Sequence, residues 1–349
     1  MQPELFRIEP TFSPRIWGSR SLAPIYPDKT NLAEPIGEAW LTDVNCRIAA
    51  GFFAGKTLGE AWGEMSPDWR GTRLADTASF PLLVKFLFPT DKLSIQVHPD
   101  DAFAGAHEPA AGGRGKTEMW HVVSAEPGAK VLVGLKPGTT RQKFLTALEA
   151  RTLEDLFLAY TVSAGDTIFV PARTPHTIGP GVILCEVQQY SDLTYRVYDY
   201  GRVDAKGKPR ELHTEKALEV MHFGPSRSGI VPPVPVRRTG LRRTLLAACR
   251  YFATELWEPQ RECEFAPDPA HFDLLAILSG SGRIMFRAKA CAYRRGECWF
   301  LPAGSERVTF DPEEPTSMIR TFVPDLASLH NRLLREGHFE SELSKTLFD

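Results

Sequence analysis

None of the six cysteines, Cys46, Cys185, Cys249, Cys263, Cys291 and Cys298, falls in a CxxC pair. In a chain of 349 residues they read as buried reduced thiols, not as a thiolate metal site or a disulfide frame. Charge of one sign is also scarce. Lys and Arg number 41 against 43 Asp and Glu, a formal net charge of −2, and the cations are scattered. No basic face for nucleic acid or anionic lipid results, although two or three well-placed cations would suffice for a small anion. Long apolar runs are missing. The stretch 81–88 is interrupted by Lys85 and is far too short to span a bilayer. The N-terminus, MQPEL, has no basic stretch leading into an apolar run, which argues against a secretory signal. No P-loop or nucleotide-binding glycine motif occurs. The expectation is a cytoplasmic protein acting on a small molecule, with neither nucleic acid nor membrane as partner and its oligomeric state open.

What is present is an ordinary globular composition, 43% hydrophobic and 24% charged, in a chain long enough for two domains. The Pro-rich segment 224–238, GPSRSGIVPPVPVRR, has no apolar period and reads as an interdomain linker. It separates an expected first domain, 1–223, from a second, 239–349. Both read as mainly β. Short runs such as 130–133, 167–170 and 182–184 are bounded by Gly and Pro. Residues 274–286, with the turn Ser279-Gly280-Ser281-Gly282, predict a β-hairpin. A helical insertion is expected over 139–158, broken near Arg151 and Thr152. A terminal helix behind Asp325 would place Leu326, Leu329, Leu333 and Leu334 on one face. An internal repeat relates Gly165, Pro171 and His176 to Gly296, Pro302 and Arg307 at identical offsets. Arginine in place of histidine donates no lone pair, so the second domain should be metal-free.

The sharpest local signal is Ser94-Ile95-Gln96-Val97-His98-Pro99. In a strand Gln96 and His98 project to one side. Glu118 follows in GKTEMW, and His176 ends the repeat unit. Two imidazoles, a carboxylate and an amide oxygen make a mixed N/O set suited to zinc, with manganese, cobalt or iron as competitors. The remaining histidines, among them His107, His121 and His213, read as hydrogen-bonded structural residues.

Four segments then carry a resemblance: 80–101 (FPLLVKFLFPTDKLSIQVHPDD), 115–123 (GKTEMWHVV), 165–202 (GDTIFVPARTPHTIGPGVILCEVQQYSDLTYRVYDYGR) and 210–220 (RELHTEKALEV). They closely resemble type I mannose-6-phosphate isomerases, best the shorter bacterial members. The resemblance implies two cupin (double-stranded β-helix, jelly-roll) lobes. It also implies a zinc-dependent aldose–ketose isomerase interconverting mannose 6-phosphate and fructose 6-phosphate through a cis-enediol. By position, one zinc per chain falls on Gln96, His98, Glu118 and His176, and the family's catalytic arginine on Arg196. Glu186 is either the proton-transferring base or a carboxylate orienting a ligand. Lys116, sharing a face with Glu118, either binds phosphate, tunes the base or is a surface lysine. Two positions depart from the family pattern: Arg173 replaces a usual glycine in the cupin turn, and Gly201 replaces a usual aspartate. A metal-binding sugar sensor without turnover is the alternative reading. An iron-dependent oxygenase fits less well, because Gln96 adds a fourth ligand.

Overall fold

Alternating apolar and polar residues between Gly and Pro turns produce the sheets that the pattern implies. The computed structural model describes residues 2–204, 206–236 and 240–348. A seven-stranded sheet runs in the order Gly229–Ile230, Thr167–Val170, Glu118–Ala125, Val182–Gln189, Leu82–Leu87, Ile36–Trp40, Thr11–Ser19. A five-stranded sheet packs on it in the order Tyr195–Tyr198, Ile95–Val97, His176–Ile178, Lys130–Leu135, Phe157–Thr161. Leu87, Trp120, Val122 and Leu184 meet Val131, Val133 and Ile178 between them, as in a jelly roll.

The rest of the chain repeats this plan. Its larger sheet has the order Phe6–Ile8, Cys298–Leu301, Asp273–Ser279, Ser317–Phe322, Ala253–Pro259, Leu241–Cys249, Val234–Val236, with Leu347–Phe348 added beside Leu241–Cys249. The smaller sheet is Cys263–Phe265, Val308–Pro312, Ser281–Phe286, Lys289–Arg294. Strand for strand, the larger sheets of the two lobes match. The repeat seen around Pro171 and Pro302 therefore extends to the whole barrel, and the fold is mainly β with two cupin-type lobes.

Three expectations need correction. The hairpin at 274–286 does not form. Asp273–Ser279 pairs with Cys298–Leu301 and Ser317–Phe322, while Ser281–Phe286 joins the other sheet. Gly280, with φ of 81°, is the crossing point, and a Cβ there would lie 2.5 Å from the Pro315 carbonyl oxygen. Turn residues set a bend without choosing the partner strand. The Pro-rich segment is not a free linker either. Gly229–Ile230 pairs with Thr167–Val170 and Val234–Val236 with Leu241–Cys249; residues 237–239, where the boundary was drawn, lie outside the described residues. Finally, Phe6–Ile8 pairs with Cys298–Leu301, so the N-terminal strand belongs to the second lobe's sheet.

The helices follow their signals. Thr140 caps Arg141–Ala150 by accepting the Lys143 N–H at 3.3 Å, and Arg151, at φ of 59°, ends it. Asp325 caps Leu326–Arg335 through the Ser328 N–H at 2.9 Å. Leu329 and Leu333 are buried there, whereas Leu334 is exposed. No helix among the described residues is long and apolar enough to cross a membrane. The lobes share one apolar core: Phe80 lies 5.4 Å from Phe272, Phe272 stacks on Phe300 at 4.8 Å, and Phe169 stacks on Phe348 at 3.8 Å. Each such buried ring contributes about 1.5–3 kcal/mol to holding them together.

Candidate active site

Strand pairing brings the expected ligands together. Gln96 stands across from His176 on one side and from Arg196 on the other. His98 follows directly after the strand Ile95–Val97, and Glu118 opens Glu118–Ala125 in the facing sheet. The candidate ligand atoms of His98, Glu118 and His176 lie within 4.8 Å of one another, and all three residues are buried. His176 Nε2 is 3.4 Å from Glu118 Oε1, and His98 Nε2 is 3.5 Å from Glu118 Oε2. The Gln96 amide comes within 3.3 Å of His176 Nε2 through its nitrogen. A half-turn of the amide presents the oxygen at the same place.

Both imidazoles are oriented by main-chain carbonyls. His98 Nδ1 donates to Leu193 O at 2.7 Å, and His176 Nδ1 donates to Thr174 O at 2.9 Å. Each Nε2 lone pair therefore faces the cluster. Burial, reinforced by Lys116, holds the His98 imidazole well below its ordinary range and His176 down to about 4. Both rings are neutral donors at neutral pH. Burial, with a contribution from Glu186, pushes the Glu118 carboxyl up to about 7 against the pull of Lys116. Glu118 Oε1 has no hydrogen-bond partner among the described residues. Two neutral lone pairs, an orphaned carboxylate oxygen and a nearby amide fit a divalent cation of the zinc type.

Cations and acids surround this cluster in pairs. Lys116 is buried, donates to Glu118 Oε2, and has its Nζ 3.1 Å from His98 Nε2. Lys85, which the sequence marked only as an interruption of an apolar run, is buried in a strand whose six residues are all buried. It reaches Glu186 at 3.0 Å and Glu38 at 3.4 Å, and Arg15 closes on Glu38 at 2.6 Å. Glu186 also accepts the Trp120 Nε1–H at 3.0 Å. Burial alone would lower the Lys85 pKa, but Glu186 and Glu38 outweigh it and the ammonium is strongly held. Burial would raise Glu186, but Lys85 and then Lys116 bring it down to about 2.

A cavity of ≈ 370 Å³ opens over these groups, with Trp17, Lys116, Glu118, Glu186, Arg196 and Arg210 in its lining. Arg210 is engaged by Asp199 at 2.5 Å. Arg196 differs: it donates to the Glu211 carbonyl at 2.8 Å, its Nε has no partner, and no carboxylate pairs with it among the described residues. Burial and the neighbouring Arg210 lower its pKa. Arg173 is not in the lining. Its Nε donates to Val220 O at 2.8 Å and its guanidinium lies 3.5 Å from Asp100, so it ties the turn to neighbouring loops at φ of 70°. Gly201 also has positive φ, 71°, with open space around it. Lys85, Glu38 and Arg15 were missed by sequence reasoning; a lone lysine inside an apolar strand was the available signal.

A double-sheet barrel with His, Glu and His converging inside it defines a metal-holding cupin. Residues 5–119 match the family model of the type I phosphomannose isomerase catalytic domain. Mannose-6-phosphate isomerase ManA of Bacillus subtilis is 34% identical over 315 residues, 87% of this chain and 95% of the relative. Mannose-6-phosphate isomerase of Streptococcus mutans is 32% identical over 301 residues, 85% and 92% of the two chains. The crystal structure of the mannose 6-phosphate isomerase from Bacillus subtilis superposes with a TM-score of 0.83 at 30% identity, covering 91% of this chain and 99% of that one. A mannose 6-phosphate isomerase bound with zinc and yttrium shares the fold, with a TM-score of 0.69 at 17% identity over 92% of this chain and 100% of that one. The chain belongs to the type I mannose-6-phosphate isomerases.

Proposed function

We propose that this chain interconverts mannose 6-phosphate and fructose 6-phosphate with one divalent metal, zinc by preference, held by Gln96, His98, Glu118 and His176. The observation that carries this reading is the convergence of His98, Glu118 and His176 within 4.8 Å, beside a cavity lined by Arg196. Manganese, cobalt or iron would substitute in the same donor set. The six free thiols fit a reducing cytoplasm. The catalytic unit is the first lobe, and the second supports it without metal.

Isomerisation moves a proton between C1 and C2 of the open-chain sugar and develops negative charge on the adjacent oxygen. A divalent metal bound here would supply Lewis acidity for that charge. Arg196, with no carboxylate paired to it among the described residues, receives the substrate phosphate or the developing oxyanion. Lys116 Nζ, which lines the cavity against His98 and Glu118, is assigned the proton transfer between C1 and C2, a role worth about 10²–10⁴ in rate. Glu186 is tied to the Lys85 ammonium at 3.0 Å and to the Trp120 N–H, which hold its carboxyl below the usual range and weaken it as a base. Its side-chain contacts are Lys85 and Trp120, not a proposed metal ligand, which favours a role in holding Lys85 over either expected one.

Stripping the metal and assaying mannose 6-phosphate turnover before and after adding zinc tests the proposal. Activity should vanish and return. A protein that binds zinc and mannose 6-phosphate yet interconverts nothing would instead be a sugar sensor.

A further inference from the structure

The turn 250–252, between the second-lobe strands Leu241–Cys249 and Ala253–Pro259, reaches the first lobe at Asp101. The Tyr251 hydroxyl donates to Asp101 Oδ2, and Arg250 contacts both that hydroxyl and, at 3.3 Å, the same carboxylate oxygen. Asp101 Oδ1 accepts the Gly115 N–H at 2.8 Å and Gln189 Nε2 at 3.0 Å. Gln189 Oε1 in turn accepts the Thr117 N–H at 2.8 Å. The N–H of Lys116 between them donates to Pro99 O at 3.0 Å. All three consecutive N–H groups of 115–117 are thus anchored, two of them through Asp101 directly or by way of Gln189. The packing leaves no slack: a Cβ on Gly115 would lie 2.6 Å from Asp101 N. Hydrogen bonds from Tyr251, Gly115 and Gln189 lower the Asp101 carboxyl pKa even though burial opposes them.

We infer that Tyr251 is a positioning residue for Lys116: through the Asp101 carboxylate, the second lobe fixes the backbone that carries the lysine of the proposed active site. The inference rests on the assignment of Lys116 made above. A lysine stem has four rotatable carbons, so its ammonium can be directed only if the Cα is held. A displacement of about 1 Å at a reacting group costs up to about 100-fold in rate. Tyr251 is not in the lining of the cavity and its hydroxyl meets only Asp101 and Arg250 among the described residues, so it acts through kcat and leaves binding alone.

The test uses the full chain loaded with zinc, assayed on mannose 6-phosphate. Tyr251→Phe removes one hydroxyl and should lower kcat about tenfold, with KM and bound zinc within about twofold of the parent. Asp101→Ala should lower kcat further. The double variant should then match Asp101→Ala, because both changes cut one chain of contacts. Arg250→Ala, at an exposed site, folds independently of any interface strain and should cost about two- to threefold. Tyr251→Phe with unchanged kcat and a lowered melting temperature would overturn the inference, provided Lys116→Ala abolishes turnover. Losses that multiply in the double variant, or lost zinc that accounts for the lost rate, would overturn it as well. Full activity in Lys116→Ala would instead remove the assignment on which it rests.

Discussion

Glu118 in the first lobe and Asp273 in the second hold the same register: each pairs with the residue just before the repeat proline, Val170 and Leu301 respectively. On the adjacent strand, Glu186 lies across from Trp120 and Lys85, whereas Arg320 lies across from Leu275 and Glu255. Lys85 therefore answers to Glu255. One strand further, Glu38 across from Leu87 answers to Arg243 across from Trp257. Three of the four positions reverse sign. In the second lobe the signs alternate and the set closes on itself: Arg320 meets Asp273 at 2.7 Å and Glu255 at 3.3 Å, and Arg243 meets Glu255 at 2.6 Å. In the first lobe Glu186 takes the place of that arginine, and two acids become neighbours.

The difference shows how one barrel serves two ends. A buried acid pair is costly unless cations join it; Lys85 on Glu186 and Lys116 on Glu118 do so in the first lobe, where a divalent metal held by His98, Glu118 and His176 would add to them. The second lobe carries its cation covalently, as Arg320, and there a single imidazole, His271, lies against Asp273, at 3.4 Å, among the described residues. Arg307, at the His176 position, points outward to Glu264 at 2.9 Å with its side chain 72% exposed.

The comparison can be broken most severely by making the first lobe copy the second. His176→Arg should lose the bound metal and reduce turnover about a thousandfold or more, with the fold retained by circular dichroism. Turnover that survives would sever the link between that position and the chemistry. A smaller effect is expected from the other side. Glu255→Ala leaves Arg243 buried without its acid and Arg320 with Asp273 alone, and should cost about 3–5 kcal/mol in urea denaturation, with kcat of the folded enzyme unchanged. Arg243 and Arg320 hold the Glu255 carboxyl far below the usual range although burial opposes them. Its contribution to stability is therefore complete above about pH 4.3 and drains away as the pH falls toward its folded value. Glu255→Ala should flatten that acid limb of the stability curve. Smallest of all is Arg173→Gly. It relieves a left-handed backbone at φ of 70° but gives up the contacts to Val220 and Asp100. Melting should move by no more than about 1 kcal/mol equivalent, with kcat intact.

Much of the site was legible because its signals are local. Strand parity put Gln96 and His98 on one side, and the matching turn units marked His176 as a donor and Arg307 as none. Lys85 was not legible, since its partner Glu38 lies 47 residues away and nothing periodic links them. The pairing of Glu186 with Lys85 was likewise hidden, because the two lie on neighbouring strands far apart along the chain. The Ser279–Gly282 segment was read as a hairpin turn, but the two strands run on to either side of Gly280 alone and take their partners from elsewhere in the chain.

By itself, then, the sequence determined which stretches alternate as strands, which side chains have lone pairs to offer, and that one copy of the repeat lacks them. These follow from side-chain chemistry and a two-residue period. Only the tertiary structure decided that the donors converge, that the charge pattern inverts between lobes, that the chain changes sheets at Gly280, and that Tyr251 reaches Asp101. Those depend on sheet order, which arises from packing between residues far apart along the chain and leaves no local mark.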